Sequence, residues 1–150
     1  MAGGGNYILD KGYPVLKTYN TSATTGVTRY RCVKLAVTGS QMRVDLNVAA
    51  TVFSLGVVQE DIDAVKVAYG NAIANVALLG ITKIFTAASG TMPALGDKVA
   101  CGLAGGAIKA ATGGTNFSIG IMVGQSVPGG TVGFGDLIDV LLMPTGIFVA

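Results

Sequence analysis

Thr51-Val52-Phe53-Ser54-Leu55-Gly56-Val57 returns 64 residues later as Thr115-Asn116-Phe117-Ser118-Ile119-Gly120-Ile121. The aromatic, serine, aliphatic, glycine and β-branched positions fall in the same order. The parallel extends back without a gap to Lys34-Leu35-Ala36 against Lys98-Val99-Ala100. After a slip of one residue, Leu78-Leu79-Gly80-Ile81-Thr82-Lys83-Ile84-Phe85-Thr86-Ala87 lies over Leu141-Leu142-Met143-Pro144-Thr145-Gly146-Ile147-Phe148-Val149-Ala150. Repeat one thus runs over about 34–87 and repeat two over about 98–150. Each copy alone buries too little surface to be stable, so the two should share one core in a single β domain, 27–150.

Hydrophobic residues make up 51% of the 150-residue chain and charged residues 12%. That charge is about half the usual share, so much of the surface must be uncharged, which favours assembly with other subunits. Twenty-three glycines and abundant Val, Ile and Thr point to short strands joined by tight turns. The expected fold is all-β, a compact sandwich or barrel. Alternation over Val27–Lys34 and Met42–Val48 reads as half-buried strands with a turn at Gly39-Ser40, and Phe53–Val58 as a buried strand. The stretch 61–79 is ambiguous. Ile62, Val65 and Tyr69 suit a helix, whereas Val65, Val67 and Tyr69 suit a strand. The counterpart of its later half, 133–141, is poor helix material because it is glycine-rich, which makes 73–79 a strand and leaves a short helix within 61–71 open.

Residues 1–26 stand outside the repeat. Tyr7, Tyr13 and Tyr19 are six residues apart, a spacing that keeps all three on one side of an extended chain. Together with Ile8, Leu9 and Val15 they make an arm suited to contact a surface, its own domain's or a neighbour's. The alternative is an N-terminal edge strand of the same domain.

Little in the chain can do chemistry. The absence of histidine removes Ser-His-Asp and Cys-His systems and the commonest general base. Gly90–Lys98 lacks the spacing of a phosphate-binding loop, and Gly129–Gly135 precedes a strand where a dinucleotide needs a helix N-terminus. Glu60, Asp61 and Asp63 lack the glycine and distant glutamate of a calcium loop and read as a solvated connection. Asp136 and Asp139 should face opposite sides of a strand. Cys32 and Cys101, at inequivalent places in the repeat, read as buried small hydrophobes. A net charge of +2 is no footprint for nucleic acid, and Arg29, Arg31, Lys34 and Arg43 read as one solvent face of a strand. No secretory signal or membrane-spanning run is visible, so a soluble chain is expected, with no catalytic residue, cofactor, metal, nucleic-acid or membrane partner.

Three phrases carry a resemblance: Gly96-Asp97-Lys98-Val99, Ser118-Ile119-Gly120-Ile121-Met122-Val123 and Asp139-Val140-Leu141-Leu142-Met143-Pro144. Leu55-Gly56-Val57-Val58 and Leu79-Gly80-Ile81-Thr82 fit the same pattern. Over roughly residues 30–146 the chain resembles the capsid decoration, or cement, proteins of tailed phages. The resemblance implies a non-enzymatic virion protein, made in the host cytoplasm and placed on the capsid surface. There it would act as a homotrimer that bridges neighbouring major capsid proteins. Tyr7, Ile8, Leu9, Tyr13, Val15 and Tyr19 are the candidate contacts to capsid or sister subunit. Against this stand a carbohydrate-binding or adhesin-like β module, which usually exposes Trp or Tyr platforms, and a cysteine enzyme, for which no base is visible.

Overall fold

Runs of Val, Ile, Ala and Leu broken by glycine form strands that pair antiparallel, as seen in a computed structural model of the chain. It describes residues 15–20, 26–38, 41–68, 72–113, 116–125 and 130–143. The strands are β1 (Val15–Asn20), β2 (Cys32–Thr38), β3 (Gln41–Leu46), β4 (Gly56–Val58) and β5 (Ile73–Phe85). Then follow β6 (Lys98–Cys101), β7 (Ala107–Lys109), β8 (Ser118–Gln125) and β9 (Leu137–Leu142). They make one sheet in the order β3-β2-β4-β5-β9-β8-β6-β7, with β1 added on β5. The fold is all-β, as composition and periodicity lead one to expect. The one described α-helix, α1 (Ala64–Ala68), is five residues long, and no described helix is long and apolar enough to cross a membrane.

The sheet is strongly curled. Cys32 on β2 and Cys101 on β6 lie five places apart in the strand order, yet they share one core cluster. Cys101 Sγ donates to the carbonyl of Asn47, at 3.2 Å. The Phe117 amide donates to the carbonyl of Ala50 at 2.8 Å, and the Phe53 and Phe117 rings meet edge to face at 6.0 Å. Between the curled halves lie Val57, Ala77, Ile84, Val99, Ile119, Met122, Ile138, Val140 and Leu142, all buried. A second cluster holds Val27, Val33, Val44, Val58, Ile62, Ala72, Ala74 and Val76.

Read inward from its two edges, the sheet gives β3-β2-β4-β5 and β7-β6-β8-β9. Val57 pairs with Ala77 and Val58 with Val76; 64 residues on, Ile121 pairs with Leu141 and Met122 with Val140. The slip of one residue read from side-chain identities is therefore absent from this pairing. Val76 and Val140 are both buried, Val76 in the second cluster and Val140 between the curled halves. At these positions the strand pairing keeps the 64-residue offset.

Other expectations need correction. The alternation over Val27–Lys34 is not one strand: Arg29 and Tyr30 form a turn, Tyr30 has φ 62°, and β2 begins at Cys32. Val27 is held by a separate bridge to Ile62. Arg29 and Arg31 lie over the Tyr30 and Phe85 rings, at 5.5 and 5.0 Å, so contact with aromatic faces and not strand alternation places them. The buried strand expected over Phe53–Val58 shrinks to Gly56–Val58, because Phe53 turns outward to pack on Phe117. The open stretch resolves as a helix at 64–68 followed by strand from Ile73, and Asp63 Oδ1 accepts the Val65 amide at the start of that helix. Thr38 pairs with Gln41, which leaves a two-residue connection at Gly39-Ser40.

Part of the expected arm belongs to the sheet. Val15–Asn20 pair with Leu79–Ile73 of the same chain. Residues 1–14 and 21–25 lie outside the described residues.

Candidate interaction surface

Among the described residues, no three His, Cys, Asp or Glu side chains gather where they could hold a metal ion. The acidic trio is spent locally. Glu60 accepts from Asn75 Nδ2 at 2.8 Å, Asp61 from the Arg29 amide at 2.8 Å, and Asp63 from the Val65 amide. Asp136 accepts the Gly133 amide at 2.7 Å, whereas Asp139 pairs with Lys83 at 3.0 Å. At the turn into β6, Asp97 accepts the Ala94 amide and meets Lys109 Nζ at 2.9 Å; these contacts, the amide first, hold its carboxyl below the usual range. Each of these six carboxylates organises its own turn or strand pair.

What the fold presents instead is apolar surface. Thr82 and Ile84 of β5, Ile138, Val140 and Leu142 of β9, and Met122 of β8 point inward and are buried. Strand alternation therefore puts Ile81, Leu141 and Ile121 on the outer face, and register lines them up directly across three strands. Leu79, Val123 and Met143, exposed by 47%, 43% and 43%, lie around that row. A bulge between Met122 and Gly124 carries Val123. The next row is the Lys83–Asp139 pair, which is neutral as a unit. An apolar patch of this kind on a sheet is suited to covering by another protein surface.

A second apolar prominence is the loop after β3. Val48, Val52 and Phe53 are exposed there, around a fully buried Asn47. Asn47 Nδ2 donates to Ser54 Oγ at 2.7 Å and to the Val52 carbonyl at 3.0 Å, while its Oδ1 accepts the Ala49 amide at 3.2 Å. One side chain thus closes the loop that offers Phe53 to solvent. Asn47→Ala strands the buried partners, and a loss of about 2–3 kcal/mol in urea unfolding is the expected result.

The two thiols sit deep between the halves. Contact with the Cys101 thiol, then burial, pushes Cys32 well above its ordinary range, so it stays neutral. The thiolate is the reactive form. Both side chains are closed off from solvent, so iodoacetamide at pH 8 should leave both cysteines unmodified in the folded protein and alkylate both in urea, as read by intact mass.

Of the arm residues singled out from sequence, Tyr7, Ile8, Leu9 and Tyr13 lie outside the described residues. Val15 and Tyr19 are in β1, at register positions opposite Leu79 and Ala74. Sequence reasoning missed the outer face of β5, β9 and β8. Its signal was present in Val140-Leu141-Leu142: a strand that stays apolar on both sides of its alternation has a second face to cover.

Neither a family model nor a curated protein matches the sequence. Among solved structures, the chain is similar to the N base of the head fiber gp8.5 of bacteriophage phi29, with a TM-score of 0.61. The match covers 87% of this chain and 96% of that one, at 18% identity. The shared property is the fold. It embraces nearly the whole head-fiber base.

Proposed function

We propose that this chain is a non-enzymatic structural virion protein that attaches to the outside of a phage head as a homotrimer and bridges neighbouring major capsid proteins. The observation that carries this reading is the likeness in fold to a phage head-fiber base over 96% of that chain. The composition supports it, since a protein that works by covering surface needs uncharged faces more than reactive groups. The patch around Ile81, Leu141 and Ile121 is such a face. Three linked copies would bind about 10²–10⁴ times more tightly than one, with no new kind of contact. We read the two halves of the sheet as tandem copies of one unit, which supply a scaffold, with binding left to the outer face and the Tyr-bearing arm. Synthesis is in the host cytoplasm and the working location is the capsid surface.

The experiment is co-sedimentation with shells that lack this protein, using the full chain and a chain without residues 1–14. That truncation keeps β1 in place, whereas removal of 1–26 would strip a strand from β5. The full chain should pellet with shells, and the truncated one should bind at least about tenfold more weakly with an unchanged unfolding midpoint. Failure of the full chain to pellet would contradict the reading.

A further inference from the structure

Four segments distant in the sequence meet around one open cavity. Arg31 stands just before β2, Thr86 and Ala88 follow β5, Ala104 lies in the short turn after β6, and Phe134 and Gly135 lie in the turn before β9. The cavity holds about 230 Å³. Small-molecule sites usually span about 300–1,000 Å³, so this one suits a single side chain better than a cofactor. Its walls are held firmly. Thr86 Oγ1 donates to the Gly133 carbonyl at 2.6 Å and accepts the Asp136 amide at 2.9 Å. These bonds fix the turn that carries Phe134, whose ring is left 62% exposed.

Backbone strain gathers at the same place. Among the described residues two non-glycines have positive φ, Tyr30 at 62° and Ala104 at 54°. Ala104 lines the cavity and Tyr30 adjoins Arg31, and strain of this kind tends to collect where ligands are held. The Tyr30 amide donates to the Val58 carbonyl at 2.7 Å, and its own carbonyl accepts the Phe85 amide at 3.1 Å, which locks the turn. The effect is to set the Arg31 guanidinium over the Phe85 ring at 5.0 Å. Stacking covers a face of the guanidinium and leaves its N–H edge available. Among the described residues no carboxylate pairs with Arg31, and none of its nitrogens is buried without a partner. Asp136, beside Gly135, has its carboxylate on the Gly133 amide, and the Thr86 hydroxyl is spent as described. The cavity thus offers one planar cation beside an exposed aromatic ring, a complement to one negative charge with an apolar neighbour.

We infer that this cavity is a docking site for an acidic side chain of a partner protein, with the carboxylate on the Arg31 fork and an adjoining apolar residue on the Phe134 ring. That the partner is a capsid protein rests on the proposed function. The carboxylate site itself does not, and its test needs no capsid.

The probe is the dipeptide acetyl-Glu-Phe-amide, titrated into the isotope-labelled full chain and followed by NMR at the backbone amides and the Arg31 Nε–H. Saturable shifts at Arg31, Ala88, Ala104 and Gly135, with a dissociation constant of about 1–10 mM, are expected. The neutral acetyl-Gln-Phe-amide should bind at least about tenfold more weakly, and Arg31→Gln should weaken the glutamyl peptide by a similar factor. Phe134→Ala should weaken it about threefold or more while keeping the fold, because that ring is largely exposed. Absence of saturable shifts, equal binding of the two peptides, or undiminished binding to folded Arg31→Gln overturns the inference. Binding of acetyl-Ala-Phe through its free C-terminus, with none of acetyl-Glu-Phe-amide, overturns it as well and gives the cavity to a chain end. Should Arg31→Gln fail to fold, the comparison of the two peptides on the unaltered chain, together with Phe134→Ala, decides the matter.

Discussion

Gly120→Ala should remove about 3 kcal/mol of stability, and Gly56→Ala a similar amount. At each position a Cβ would run into a backbone carbonyl of the neighbouring strand, that of Leu141 for Gly120 and that of Ala77 for Gly56. A valine methyl, on Val140 and Val76 respectively, lies 2.9 Å from the added atom in both cases. Overpacking against a flexible side chain can relax by rotation, but a ladder carbonyl moves only if the strand moves. Against a total of about 5–15 kcal/mol, the double variant should be unfolded at 37 °C. Gly96→Ala and Gly113→Ala are the controls. Both sites have positive φ, 84° and 71°, with nothing within 4 Å of the added atom, so each should cost about 1 kcal/mol of backbone strain. Urea midpoints for the four single variants check the ranking. Equal, large losses at Gly56 and Gly120 would show that the two halves of the sheet rely on the same close approach.

Val123→Asp combined with Leu79→Asp should weaken shell binding about 100-fold, equivalent to about 2.7 kcal/mol. Both residues are more than two-fifths exposed on the outer face of β8 and β5, so the folded monomer tolerates the charges. Covering them against another protein would desolvate two carboxylates with no cation to meet them, and the Lys83 ammonium is already paired with Asp139. Val65→Asp on α1, exposed by 59% and remote in the strand order, should bind like the unaltered chain. Sedimentation with shells measures the loss, and a thermal midpoint unchanged within a few degrees separates it from unfolding. Unimpaired binding would remove this face from the proposed contact.

The repeated phrase made much of this fold legible. Phe53-Ser54-Leu55-Gly56 and Phe117-Ser118-Ile119-Gly120 mark positions where the backbone must pass close to a neighbour, and such positions tolerate little change. Strand 73–79 was readable only through its glycine-rich counterpart, since its own residues suit helix or strand. The slip before Leu78 misled because the side-chain identities there suggest an offset of 63 residues, whereas the strand pairing keeps 64. Tyr30 misled differently. Nothing in Thr28-Arg29-Tyr30-Arg31 signals a left-handed turn, and it is the Phe85 ring, brought in from β5, with which Tyr30 and Arg31 pack. The outer face was hidden for a related reason: alternation predicts one apolar side, and Leu141 beside Leu142 looks like mere excess until register places Ile81 and Ile121 next to it.

The account stands most directly on where the protein is found. The proposed function is addressed in one measurement by negative-stain electron microscopy of virions assembled in cells that make this chain, labelled with antibody to residues 98–125. Label distributed over the outside of the head is the predicted result. Virions with bare heads, or label confined to the tail, would contradict it.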